Sequence, residues 1–312
     1  MSEKVIVTRN LSKTYYSKGR AIHAVQDLNL VVDEGEIFGL LGPNGAGKTT
    51  TIHMLLGLTT ITGGEAHVLG YDVKRQSREI RRYTGLIPER AGFYWDLSAF
   101  QNLKYFAELS DIPRNVLLKR IDWALEFVGL SKWRNMPVKT FSRGMVQRLV
   151  LAQVLVKQPK IIFMDEPTTG LDPRASRMFR ELIKRINREF KVTILVSSHL
   201  LHEVKRICSR VGFMNRGRLV KIGNVDDLLK SIKLKILAEF DSLDENLVSE
   251  IESLRGVEVL GVRGNAVLLA ANDDVRLEIS RIAFNYGRMI RTLKLIKPTL
   301  EELFLSLTGG VS

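Results

Sequence analysis

Residues 42–50 read GPNGAGKTT, and no other stretch constrains the fold as strongly. Gly42, Gly47, Lys48 and Thr49 satisfy the pattern G-x-x-x-x-G-K-[ST] of a phosphate-binding loop. The flanking sequence fits. The apolar run 37–41 predicts a buried strand before the loop, and 49–58 predicts a helix after it. Glycines let backbone N–H groups turn inward around phosphate oxygens, and a helix N-terminus adds partial positive charge. Gly42, Pro43, Asn44, Gly45, Ala46, Gly47, Lys48, Thr49 and Thr50 are therefore the candidate nucleotide cradle. Lys48 is expected to reach the outer phosphates and the Thr49 hydroxyl to hold Mg²⁺. The plainer alternative, a glycine-rich turn with no ligand, has to be weighed against the remaining motifs.

The chain has 312 residues, 45% of them apolar, enough for one large domain or two ordinary ones. No uninterrupted apolar run reaches membrane-spanning length. The start, MSEKVIVTRN, lacks the apolar segment of a signal peptide, so a cytosolic location is expected. The single cysteine, Cys208, excludes an internal disulfide and is expected to pack within a helix among Val204, Ile207 and Val211. Charge is uneven. Residues 1–230 carry 37 Lys+Arg against 22 Asp+Glu, whereas 231–312 carry 10 against 12. A basic surface suits phosphates, nucleic acid or an anionic membrane face, or it simply keeps the protein soluble. The clusters Arg75/Arg78/Arg81/Arg82 and Lys184/Arg185/Arg188 are not interleaved with stacking aromatics, so nucleic acid is not the expected partner.

Strands are predicted at 5–9, 28–32 and 37–41, a hairpin turn at Gly63–Gly64, a helix at 77–83 and a short strand at 84–87. Helical spacing at 99–109, 113–128 and 145–157 predicts a helical subdomain, about residues 90–158, inserted into a strand-rich core. Buried strands follow at 161–164 and 192–197, helices at 175–190 and 200–208, and last strands at 211–214 and 218–222. A boundary is placed near residue 228. The tail, 229–312, reads βαββαβ, the ferredoxin-like split motif, with a Gly264–Asn265 turn. A capping box, Thr299 with Glu302, opens a final helix.

Four apolar residues, 161–164, end in Asp165 and Glu166. A strand end beside the phosphate loop would put Asp165 near a metal ion and Glu166 where it can polarise an attacking water. Tyr15 in LSKTY, the loop at 42–49, Phe141-Ser142-Arg143-Gly144-Met145, Asp165-Glu166, Gly170-Leu171-Asp172 and His199 in SSH follow one another along the chain. In this order and spacing, residues 1–225 resemble the nucleotide-binding subunit of an ATP-binding cassette (ABC) transporter.

The resemblance implies an α/β fold, a P-loop NTPase cassette with an inserted helical subdomain, here joined to a small α+β ferredoxin-like domain. It implies an ATPase with ATP and Mg²⁺ as ligands. Two cassettes pair head to tail around two ATP molecules and power a separate transmembrane permease. Tyr15 would stack on adenine, Thr49 and Asp165 would hold the metal, and Glu166 and His199 would be the catalytic pair. Ser142 and Gly144 would meet the partner's γ-phosphate, and Asp172 would lie across the dimer seam. The homodimer would sit at the inner face of the cell membrane, and residues 93–109 would receive the permease.

Three positions depart from the family pattern. Glu89 stands where a metal-facing glutamine is usual and is read as a subfamily feature. Arg143 replaces the first signature glycine and Met145 its last glutamine, and a degenerate, non-hydrolysing site is the alternative that the presence of Glu166 and His199 speaks against. The tail, ending PTLEELFLSLTG, resembles the extension of drug-, antibiotic- and sodium-exporter cassettes, which makes export the expected direction. The alternatives are a soluble cassette ATPase acting on nucleic acid or ribosomes, and a subunit that binds ATP without turnover. His23, His53, His67 and His202 show no metal-ligand spacing.

Overall fold

The computed structural model describes residues 3–308 except 18 and 111. Met1, Ser2 and the glycines that end the PTLEELFLSLTGG run lie outside the described residues. The chain divides into two compact units, Met1–Gly223 and Asn224–Ser312.

The first unit opens with an antiparallel hairpin, β1 (Lys4–Ser17) and β2 (Arg20–Asp33). Leu28, Leu30 and Val32 turn inward at the two-residue strand period. The strands run well past the expected 5–9 and 28–32. Thr14–Ser17 pairs with Arg20–His23 through the backbone, without the apolar alternation by which a strand is recognised. The chain continues through β3 (Ile37–Leu41), α1 (Lys48–Leu55), β4 (Gly63–Val68), β5 (Tyr71–Asp72), α2 (Ser77–Tyr83) and β6 (Thr84–Ile87). Gly63–Gly64 is not a hairpin turn: it starts β4. Gly64 has φ +71°, and a Cβ there would strike the backbone of Arg9 and Asn10, so glycine serves a close approach between strands.

The three expected helices appear as α3 (Ala99–Glu108), α4 (Arg114–Phe127) and α5 (Arg143–Val156). Ser98 closes a capping box on α3, and Ser142 caps α5 by accepting from the Met145 N–H. Next come β7 (Ile161–Asp165), α6 (Pro173–Phe190), β8 (Thr193–Ser198), α7 (Leu201–Val204), β9 (Arg210–Asn215) and β10 (Arg218–Asn224). Helix α7 stops four residues short of Cys208, which lies outside it. The chain must turn back there so that β9 can pair with β3, and Ser209 N–H already donates to Ile37 O. Cys208 packs on Gly39 of β3, where a Cβ would meet its sulfur at 3.2 Å.

The two sheets of this unit have the orders β2-β1-β4-β5 and β10-β9-β3-β8-β7-β6. Every residue of β3, β7 and β8 is buried, as expected of parallel strands covered on both faces. Adjacent β3, β8 and β7 thus deliver Gly42, His199 and Asp165–Glu166 to one crevice at their carboxyl ends, the usual ligand position of an open α/β sheet.

The second unit contains α8 (Val225–Lys230), β11 (Leu234–Phe240), α9 (Glu245–Glu252), β12 (Val257–Arg263), β13 (Ala266–Ala271), α10 (Arg276–Asn285), β14 (Ile290–Ile296) and α11 (Leu300–Thr308). Its antiparallel sheet has the order β12-β13-β11-β14, the split βαββαβ arrangement. Ile236, Phe240, Leu247, Ile251, Leu269 and Ile279 form its own core. The capping box forms, with Glu302 N–H donating to Thr299 Oγ1 and Thr299 N–H to Glu302 Oε2.

Burial pushes the Cys208 thiol pKa up, so little thiolate exists in the folded protein. The native chain should leave a thiol-specific disulfide reagent unreacted at pH 8 and consume one equivalent once denatured. Rapid reaction of the native protein would contradict this packing.

Candidate nucleotide site

Gly47 has φ +102°, and a Cβ there would collide with the Ala24 carbonyl of β2, so only glycine fits where the loop enters α1. No side chain caps α1, which leaves its first N–H groups available to a ligand. Lys48 is 5% exposed and folds back into the loop. Its ammonium donates to the carbonyls of Gly42 at 2.7 Å and Pro43 at 3.0 Å. It also lies 3.3 Å from Glu166 Oε1.

The Thr49 hydroxyl donates to Asp165 Oδ2 at 2.8 Å, and the Ser197 hydroxyl donates to Asp165 Oδ1 at 2.5 Å. Asp165 and Ser197 face each other in the β7–β8 register, and both are buried. Ser197 Oγ also accepts from the Glu166 N–H at 3.2 Å. Glu166 takes φ +48°, a conformation that costs a non-glycine residue energy and aims its side chain back into the crevice. Glu166 Oε2 is 2.8 Å from His199 Nδ1 and accepts from Thr169 Oγ1 at 3.3 Å. Its other oxygen, Oε1, is buried without a hydrogen bond, because the nearby Lys48 ammonium is not aligned to make one.

A second group lies elsewhere on the unit. Ser142 caps α5 and Asp172 caps α6, accepting from the Ala175 N–H at 2.8 Å; both are exposed. Gly144 lets α5 approach α6, since a Cβ there would come within 2.9 Å of Ala175 Cβ. The Arg143 guanidinium lies over Gly170, which has φ +70° and no room for a Cβ. Among the described residues, no hydrogen bond or ion pair joins Ser142, Gly144 or Asp172 to the Lys48 group. Tyr15 is 39% exposed on β1, with Lys13 Nζ 4.8 Å from its ring centre. Glu89 is exposed just beyond β6 and makes no hydrogen bond or ion pair with another described residue.

The donor set fits a nucleoside triphosphate with a hard divalent cation. The hydrogen bonds of the Lys48 ammonium go to carbonyls that phosphate oxygens can replace, and Thr49 and Asp165 offer two hard oxygens side by side. The buried Oε1 of Glu166 is an acceptor awaiting a donor such as water. Residues 25–169 match the family model described as ABC transporter. The uncharacterized ABC transporter ATP-binding protein YhcH of Bacillus subtilis is 35% identical over 98% of this chain and 96% of its own.

The chain belongs to the ABC transporter family.

It is an ATP-hydrolysing cassette of that family. The bacitracin transport ATP-binding protein BcrA of Bacillus licheniformis is 34% identical over 98% of both chains. A methionine import ATP-binding protein, MetN 2 of Bacillus cereus, is 33% identical over 80% of this chain and 76% of its own. The cassette MJ0796, solved as a dimer bound to ADP and Pi, superimposes with a TM-score of 0.64 at 25% identity, over 70% of this chain and 98% of that one. This ABC cassette also carries two site features that sequence reasoning missed. Ser197 bridges Asp165 and Glu166, and its only sequence signal is a polar residue closing a buried strand. Arg143 looked like a bare departure from the signature, yet it packs on Gly170.

Ser197→Ala would leave Asp165 Oδ1 without its donor. A loss of about 1–3 kcal/mol in stability is expected. ATP binding should also demand severalfold more Mg²⁺, as the carboxylate is no longer held toward Thr49. Denaturant unfolding and a Mg²⁺ titration of ATP binding check both. Unchanged values would show that Ser197 does not position Asp165.

Proposed function

We propose that this cassette pairs head to tail with a second copy, hydrolyses ATP at two shared sites and powers a separate membrane permease, in the direction of export. The observation that carries the reading is the separation of two groups on one chain. Lys48, Thr49, Asp165, Glu166 and His199 converge on one crevice, whereas Ser142, Gly144 and Asp172 are set at the starts of α5 and α6. One chain therefore offers a phosphate cradle and a distinct, exposed pair of helix starts, and a second copy would join the two.

In this reading Lys48 exchanges its carbonyl partners for phosphate oxygens. Mg²⁺, held by Thr49 and Asp165, would neutralise phosphate charge. Glu166 receives the proton of the attacking water on Oε1, while His199 steadies the other oxygen and faces the γ-phosphate. Ser142 and Gly144 bind the partner's γ-phosphate, Asp172 contacts the dimer seam, and Tyr15 stacks on adenine. Glu89 stands apart from this group, and its part in metal binding rests on its place in the sequence alone. Residues 1–228 form the cassette, with its helical subdomain at about 90–158, and 229–312 an accessory domain.

Export is favoured because BcrA, a bacitracin transport protein, covers 98% of this chain, tail included, whereas the import protein covers 80% of it. Among the described residues no helix is long and apolar enough to cross a membrane, so the span would belong to the permease. The cassette would then sit peripherally on the inner face of the membrane.

Glu166→Gln should lower steady-state turnover by about 10²–10⁴-fold and leave ATP binding intact. Full turnover in that variant would remove Glu166 as the base. Crosslinked recovery from native membranes should yield a multi-spanning protein in stoichiometric amount. Recovery of ribosomal or nucleic-acid-bound proteins would instead reject the transport reading.

A further inference from the structure

Eight basic side chains of the cassette line two neighbouring cavities away from the phosphate loop. The first, about 550 Å³, lies between α2, the α3–α4 corner and the end of α5, with Arg78, Arg81, Arg82, Arg120 and Lys157 on its walls. The second, about 710 Å³, shares Arg120 and Gln158 with the first and adds Lys119, Lys160 and Lys191. Among the described residues, Glu79 and Glu34 are the acids that line the pair. None of these eight cations forms an ion pair with another described residue. Some exposed cations elsewhere on the same unit do find acids, as in Arg134–Asp122, Lys139–Asp96 and Arg218–Asp27.

The interior cations are met by neutral groups. The Lys157 ammonium donates to the carbonyls of Arg81 at 2.8 Å and Thr84 at 3.1 Å, and Arg81 donates to the Leu56 carbonyl at 3.1 Å. Burial and the neighbouring Arg81 both lower the Lys157 pKa, as expected where like charges gather without an anion.

The second cavity also has an apolar wall. Leu155 and Pro159 are buried in it, and Trp123 and Phe190 line it, packed edge to face on each other with centroids 5.6 Å apart at 81°. Phe190 remains 45% exposed. Both volumes fall in the range of small-ligand sites, about 300–1,000 Å³. Arginine forks match phosphate oxygens better than point charges do.

We propose that the joined cavities bind an anionic phospholipid, with its phosphate among Arg78, Arg82 and Arg120 and an acyl chain against Trp123, Phe190 and Leu155. The site is independent of the transport reading, since it rests on the cassette unit alone.

Dihexanoyl phosphatidylglycerol, kept monomeric, is titrated into the full chain with saturating ADP to cover the phosphate loop. Calorimetry reads affinity and tryptophan fluorescence reads the site. Saturable binding is expected. It should weaken at least about tenfold in Arg78→Glu/Arg120→Glu, as loss of several headgroup charges predicts. The matching phosphatidylcholine and inorganic phosphate alone should each bind at least about tenfold more weakly, lacking the net charge or the chain. Trp123→Phe should keep binding by calorimetry and lose most of the fluorescence change. Should Arg78→Glu/Arg120→Glu not fold, Arg82→Glu/Lys119→Glu, at two exposed positions, makes the same comparison. Equal binding of phosphatidylcholine, equal binding of phosphate alone, or full affinity in a folded charge-reversal variant would each overturn the proposal.

Discussion

Asp165 is 5% exposed, and a carboxylate buried that deeply costs several kcal/mol unless donors answer both of its oxygens. Thr49 answers one from the start of α1 and Ser197 the other from the end of β8. Both donors reach it only because β3, β8 and β7 lie side by side and end in step, with Leu41 opposite Ser198 and Ser197 opposite Asp165. A register slip would bury the carboxylate without partners, so this hydrogen-bond chain and the parallel sheet specify each other.

The same strand ends carry the charges that do chemistry. Lys48 and Glu166 are both largely withdrawn from water and close to each other, yet neither is fully satisfied. Lys48 leans on carbonyl oxygens, Glu166 keeps one oxygen bare, and the Glu166 backbone is held in a strained conformation. Such incomplete satisfaction is costly in a purely structural core and is what a site awaiting phosphate and water requires. The hydrophobic cluster of Ile6, Leu30, Phe38, Ile52 and Phe163 supplies the rigidity that keeps these groups in place.

Much of the site was legible in the sequence because its members are fixed by covalent spacing. The phosphate loop follows directly on a buried strand, Asp165–Glu166 ends another, and His199 follows a third. The fully buried strands and the βαββαβ tail were readable from apolar runs and their order. What escaped depends on long-range placement. Ser197 gains its role from a partner 32 residues away, visible only once β7 and β8 pair. Gly63–Gly64 looked like a turn, but the approach of Asn10 decides its conformation. The return of the chain to β3 ended α7 early, against the helical pattern around Cys208. The arginine cluster of α2 was visible in the sequence, but its neighbours Arg120 and Lys157 were not, since α4 and α5 bring them beside it only in the fold.

In the proposed function, one chain holds halves of two sites that a second copy completes. Light scattering of Glu166→Gln, with and without Mg-ATP, tests it most directly. A 35.3 kDa monomer is expected without nucleotide and about twice that mass with Mg-ATP, with reversion to monomer when Ser142→Arg is added. A Glu166→Gln chain that binds ATP and remains monomeric would contradict it.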